Sequence, residues 1–205
     1  MTNQDHWQSV YTKKKLKEVS WYRPHLEQSL ALIKTCGLTK QAHIVDIGGG
    51  GATLVDDLLD HGYKHLTVVD LAQAAFDQSK ERLAERADDV RWLVGDATTP
   101  LLDTQSIDLW HDRAVFHFLT ADAQREAYVA EILRCVRPGG HVLIGAFATD
   151  GPERCSGLEV TRYSPAEIAD ALGPQFELIS QAREVHITPG GSEQAFSYAL
   201  LQLSR

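Results

Sequence analysis

Asp46 stands two residues ahead of four consecutive glycines, 48–51, and two more aspartates, Asp70 and Asp96, follow Gly48 by 22 and 48 positions. Backbone without side chains lets a ligand lie against the main chain, and free N–H groups at a helix start meet anionic groups. Carboxylates spaced along the chain accept hydrogen bonds from hydroxyls and amines. The chemistry on offer is the holding of a cofactor rich in such groups. A second constellation, "HDRAVFH" at 111–117, brings imidazole, carboxylate and guanidinium together. His111 is placed to act as a catalytic base, Asp112 and Arg113 as a pair that orients its loop, and His117 as a substrate contact. Each has a packing alternative: a buried, hydrogen-bonded histidine or a structural ion pair. In a third region, 150–165, Arg154 is a candidate for an anionic substrate group unless it pairs with Glu153 or Glu159. Cys155 beside it either touches the substrate or packs.

Such residues act together only if their elements end together. Strand-like runs at 43–47, 65–69, 90–94, 107–111 and 141–147 alternate with helical stretches at 53–61, 72–86 and 122–136. That alternation predicts an α/β sheet with crossover helices. Asp46, Asp70, Asp96 and His111 all fall at or just past the carboxyl end of a strand, where open α/β sheets bind ligands. "RPGG" at 137–140 closes the third helix, because Pro cannot continue it and Gly takes the turn. Ser164-Pro165 opens a helix to Leu172 as N-cap and first helical residue. Strands at 176–187 and 193–203 then flank the turn "TPGGS" as an antiparallel hairpin on the edge of the sheet. Residues 1–40, with Trp7, Tyr11, Trp21 and Tyr22, are expected to form a helical cap. The chain therefore reads as one domain: cap 1–40, cofactor-binding core 41–148, substrate loop 149–163, and helix with hairpin 164–205.

Composition narrows the partners. A chain of 205 residues can bury a substantial core. A formal charge of −8 argues against a general nucleic-acid binder, which needs clustered Lys and Arg. The run Lys13–Lys15 with Lys17 reads as a solvated helix face. No apolar run nears the roughly 18 residues of a membrane span, and no signal peptide is evident, so a cytoplasmic protein without a membrane partner is expected. Three scattered cysteines without a CxxC pair give neither a disulfide framework nor a metal site.

Three glycine-rich motifs compete for residues 46–53. A phosphate loop needs Lys after its glycines, and Gly51 is followed by Ala-Thr. A dinucleotide fingerprint needs glycine at the sixth position, which is Thr53 when counted from Gly48 and Leu54 from Gly49. The third pattern, acid-x-Gly-x-Gly, is met by Asp46-Ile47-Gly48-Gly49-Gly50, with Ala52 where a third glycine is usual. This resembles motif I of class I S-adenosylmethionine-dependent methyltransferases. "LTVVDLA" at 66–72, "LVGDATTP" at 93–100 and "RPGGHVLI" at 137–144 extend the resemblance over residues 41–148.

The resemblance implies a Rossmann-like, doubly wound, mostly parallel seven-stranded sheet and S-adenosyl-L-methionine as cofactor. Asp46, Gly48 and Gly50 would hold its amino-acid end, Asp70 and Leu71 the ribose, and Asp96 and Ala97 the adenine. Gly49 and Gly51 occupy variable positions of the motif and are expected to tolerate small side chains. From the residues themselves, Tyr11, Trp21 and Tyr22 could close over the cofactor's methionine end or else pack the core of the N-terminal helices, His111 would border the cofactor, and Tyr22, His117, Arg154 and Cys155 are candidates for the acceptor. The entry "DHWQSVY…EVSWY" is similar to small stand-alone methyltransferases, protein-lysine enzymes included, whereas "HDRAVFH" and "DGPERC" look closer to thiopurine and thiol methyltransferases. A small soft nucleophile is the favoured acceptor. A protein lysine and a non-catalytic cofactor-binding role stay open, and the acidity and the lack of an NPPY-like motif disfavour RNA.

Overall fold

Strands β1 (His43–Ile47), β2 (His65–Asp70), β3 (Val90–Val94), β4 (Ile107–Arg113) and β5 (Val136–Phe147) lie parallel in the order β3-β2-β1-β4-β5. The computed structural model describes residues 2–204. Two tiny strands, β6 (Arg154–Cys155) and β7 (Leu158–Glu159), pair with each other apart from the sheet. The chain then returns as β8 (Phe176–Ile187) and β9 (Glu193–Leu203), with β9 antiparallel between β5 and edge strand β8. The result is the expected mostly parallel seven-stranded sheet with an antiparallel C-terminal pair. No helix among the described residues is long and apolar enough to cross a membrane.

Alternating side chains send the sheet's residues to two faces. Val45, Ile47, Trp110, Val142 and Ile144 pack against α5 (Asp122–Cys135) and α6 (Pro165–Leu172). Ile44, Leu66, Val68, Leu109 and Leu143 pack against α2 (Glu27–Thr35), α3 (Leu54–Asp60) and α4 (Gln73–Leu83). Burial of each such side chain contributes roughly 1.5–3 kcal/mol. A third, smaller cluster joins Tyr11 of α1 (Asn3–Lys13) and Leu16 to Ala72 and Ala75. Thr2 and Asp5 start α1 with a capping box, and Ser164 and Glu167 do the same for α6.

Several boundaries move. The cap is α1 with the segment to about residue 25, because α2 buries Leu32 and Ile33 in the sheet's own core. Helix α4 stops at Leu83, where Ala84 takes a positive φ and a 3-10 turn runs to Asp89. "RPGG" does end α5, but its residues are already part of β5, with an irregular register against β4 and Gly139 at φ +79°.

Candidate active site

The strand order reverses direction between β1 and β4, and the carboxyl ends of β1 to β5 open there into three connected hollows. The largest, a cleft of about 810 Å3, runs past Asp70, Leu71, Asp96 and Ala97 under Trp7 and Tyr11 of α1. A recess of about 390 Å3 lies between the glycine turn and the cap, bordered by Asp46, Gly49, His111, Trp21, Tyr22 and Arg23. The third, of about 350 Å3, is walled by Trp7, Trp21, Phe118, Phe147 and Phe196 and reaches Cys155. Trp7, Gly48, Ala114 and Phe118 border both the cleft and this third cavity.

Local chain geometry accounts for these positions. Gly48 ends β1 at φ +67°, a conformation that costs glycine little, and turns the chain so that residues 49–51 form one 3-10 turn below the cap. A Cβ on Gly48 would strike Val115, and one on Gly50 would come within 2.7 Å of Ala75 and 2.8 Å of Asp70 Oδ2. The same holds for the other two glycines, against expectation: Gly49 lies against Asp46 Oδ2, and Gly51 against Tyr11 and Leu16. No position of the run is spare. Asp70, at the end of β2, accepts from the N–H groups of Gly50 (3.2 Å) and Ala72 (2.9 Å) and still borders the cleft. Burial pushes its carboxyl up to about 6 despite those bonds. Asp96 is exposed, accepts from Thr98 N–H and Oγ1 at Oδ1, and borders the cleft.

In β4 the three polar side chains diverge. His111, the Cα partner of Asp46, is 1% exposed, with Nδ1 2.6 Å from Asp46 Oδ1 and Nε2 2.9 Å from Ser29 Oγ. Both ring nitrogens are occupied, so the general-base role is withdrawn; His111 holds Asp46 in place. The expected Asp112–Arg113 pair does not form, because successive strand residues face opposite sides. Asp112, fully buried, accepts from the N–H groups of Val115 and Phe116 and from Tyr128 Oη, and so orients the loop by itself. Arg113 turns to the other face, where Nε donates to Tyr198 Oη at 2.9 Å and Nη1 to Trp21 O at 3.3 Å. Glu184 of β8 lies 3.7 Å from its Nη2 and also pairs with Arg23.

The remaining substrate candidates divide. Cys155 borders the third cavity, with its thiol pushed up to about 11 by burial, hence neutral at pH 7. Tyr22 borders the recess and not that cavity. His117 is withdrawn: it is fully buried between Phe118 and Phe147, its Nδ1 accepts from Phe147 N–H, and burial lowers its imidazole to about 3. Arg154 is withdrawn too, since it is exposed and donates to Gly157 O across the β6–β7 turn. Val115, Phe118, Arg23, Ser29 and Gln194 join the site without having been expected. Only the aromatic Phe118, in "VFHFL", carried a readable signal.

An open doubly wound sheet with acids at its strand ends, a glycine turn and an aromatic lid defines a nucleotide-cofactor enzyme. Residues 44–140 match the family model described as a methyltransferase domain. The eEF1A lysine and N-terminal methyltransferase homolog of Drosophila melanogaster is 28% identical over 142 residues, 66% of this chain but 21% of that protein. The chain thus spans about a fifth of the length of the first such relatives it matches. The EEF1A lysine methyltransferase 2 of Danio rerio is 20% identical over 91% of this chain and 80% of that protein. Among solved structures, a Burkholderia thailandensis 1,6-didemethyltoxoflavin-N1-methyltransferase with bound S-adenosylhomocysteine superposes with TM-score 0.70 at 20% identity, covering 98% of this chain and 84% of that one. A structure described under conversion of a disulfide bond into a thioacetal group during echinomycin biosynthesis superposes at 0.77 with 18% identity, covering 99% and 93%. Residues 44–140 are thus a methyltransferase domain, of the kind that uses S-adenosylmethionine as cofactor.

The residues present fit that cofactor. Asp46 Oδ2 is buried at the recess without any hydrogen-bond partner, an acceptor in want of a donor such as an ammonium group. The cleft beside it offers Asp70 and Asp96 between apolar walls, as a nucleoside requires. Asp70 accepts best when ionised, and its carboxyl is raised to about 6. Cofactor affinity is therefore expected to fall about tenfold between pH 8 and pH 5, in proportion to the ionised fraction. Calorimetric titration with S-adenosylhomocysteine checks this, and an Asp70→Asn variant should lose that dependence. A flat wild-type profile would remove Asp70 from the ribose role.

Proposed function

We propose that the enzyme methylates a small-molecule acceptor, a thiol or a similarly soft nucleophile, bound in the aromatic cavity beside Cys155. The observation that carries this reading is the lining of the cavity: Trp7, Trp21, Phe118, Phe147 and Phe196 wall it, and no carboxylate and no histidine borders it among the described residues. Without a base at hand, the acceptor must be a nucleophile that reacts without one or that sheds its proton to water. A lysine side chain reaches its target as an ammonium and needs an open, acidic approach, which this aromatic box does not supply. The lysine reading keeps one support, the relatives named for eEF1A, one of them matched over most of this chain.

In this reading Asp70 holds the ribose hydroxyls, Asp96 the adenine, and Asp46 with the glycine turn the amino-acid end. The cofactor supplies a methyl group already electrophilic on its sulfonium. The chain's own task is to orient the acceptor and exclude water, and orientation alone is worth roughly 7–11 kcal/mol. The packed rings of Trp7, Tyr11, Trp21 and Phe118 form the lid that does both. The enzyme would work in the cytoplasm, where its free cysteines stay reduced. Methylation assays with labelled cofactor should show transfer to a panel of small aromatic and aliphatic thiols. Transfer to eEF1A with none to the panel would reverse the assignment.

A further inference from the structure

The acceptor cavity contains two polar groups with unmet hydrogen-bonding capacity. Gln194, near the start of β9, is 8% exposed, borders the cavity, and its Oε1 is buried with no partner. Arg113 borders the same cavity, and its Nη2 is buried without a hydrogen bond, although Nε and Nη1 are both engaged. Leaving a buried polar atom unsatisfied costs about 1–3 kcal/mol. Two such atoms in one small aromatic chamber are hard to account for by packing, since Leu at 194 would line it equally well.

Arg113 is also rigid. Its guanidinium lies over the Phe196 ring, 4.3 Å from the centroid, with Nε donating to Tyr198 Oη and Nη2 3.7 Å from Glu184. Glu184 in turn accepts from Tyr198 Oη at 2.7 Å and pairs with Arg23, so both carboxylate oxygens are committed. Nη2, 3.7 Å from Glu184 Oε2, makes no hydrogen bond to it and so keeps donor capacity for a ligand, while Gln194 offers an acceptor. The surrounding walls, Trp7, Trp21, Phe118 and Phe147, suit a flat ring.

We propose that Gln194 and Arg113 are the specificity-determining pair of the acceptor site, selecting a planar heteroaromatic molecule that carries an N–H or O–H donor beside a hydrogen-bond acceptor atom. The proposal rests on the small-molecule reading above and narrows it: the donor meets Gln194 Oε1 and the acceptor atom meets Arg113 Nη2. Simple alkyl or carbocyclic thiols satisfy at most one of the two.

Calorimetry on the full chain saturated with S-adenosylhomocysteine tests this with two probes of equal size. 2-Mercaptopyridine, in its thione form, has a ring N–H next to sulfur; thiophenol has the sulfur alone. The wild type is expected to bind 2-mercaptopyridine about tenfold or more tightly than thiophenol. In Gln194→Leu the preference should vanish through loss of 2-mercaptopyridine affinity, with S-adenosylhomocysteine affinity unchanged as the check on folding. Equal wild-type affinities, binding of neither probe, or a preference that survives in Gln194→Leu would each overturn the proposal. Should Gln194→Leu fail to fold, the wild-type comparison and Gln194→Met decide it in the same way. A wild-type preference without methyl transfer to any small acceptor would sink the proposed reaction and leave the recognition pair standing.

Discussion

Asp112→Ala is expected to destabilise the enzyme by about 3 kcal/mol or more and to weaken cofactor binding at least tenfold, because one buried carboxylate satisfies three donors, two of them buried. Those donors are Val115 N–H at 2.9 Å, Phe116 N–H at 2.9 Å and Tyr128 Oη. Alanine removes all the acceptors at once from a buried position. Tyr128 keeps only the indole N–H of Trp110, which donates to it, so its own proton is left without a partner. Val115 and Ala114 border the cofactor cleft, and Ala114 is held at φ +73° by the same loop, so relaxation here reshapes the cleft wall. Asp112→Asn distinguishes the parts: its carbonyl can keep one or two donors, whereas its amide meets a donor. An intermediate loss in urea denaturation is the expected outcome. A loss below about 1 kcal/mol for Asp112→Ala would mean that water replaces the carboxylate and that the loop needs no anchor.

This anchor shows where sequence reading reached and where it stopped. Strand ends are legible because apolar runs are bounded by Asp and Gly, which puts Asp46, Asp70 and Asp96 at or just past the carboxyl ends of β1, β2 and β3. The C-terminal hairpin follows from turn chemistry that the sequence displays, and the doubly wound sheet from the family resemblance. Side-chain direction at a strand's final residues was harder. His111, Asp112 and Arg113 look like one catalytic group when read in line, yet the two-residue period sends His111 towards Ser29, Asp112 towards Tyr128 and Arg113 towards Tyr198. Each partner lies far along the chain, and nothing local names it. Gln194 was illegible for the same reason: a glutamine at the start of a hairpin strand looks like surface until the cap and β5 close over it.

Gly49→Ala is expected to impair the enzyme more than any single-methyl change elsewhere in the glycine run's variable positions, contrary to what the motif pattern implies. A methyl group there collides with Asp46 Oδ2. That carboxylate cannot swing aside, because Oδ1 is held by His111 and His111 by Ser29, all of them buried. Overpacking against so fixed a neighbour costs about 1–3 kcal/mol, and it also displaces the oxygen offered to the cofactor's ammonium, so both the unfolding midpoint and S-adenosylhomocysteine affinity should fall. Gly51→Ala meets softer matter. Its Cβ would lie 2.6 Å from Tyr11 Cε1 and 2.8 Å from Leu16 Cδ2, both in the cap. The cap can lift while the sheet stays intact, so cofactor affinity should drop with little change in the unfolding midpoint. Gly190→Ala serves as the control, since its Cβ would find only Thr188 Oγ1 at 3.7 Å and its φ is not positive. A change within about 0.5 kcal/mol is expected there. If Gly49→Ala behaves like Gly190→Ala, Asp46 is mobile and the buried Asp46–His111–Ser29 chain does not hold it for the cofactor.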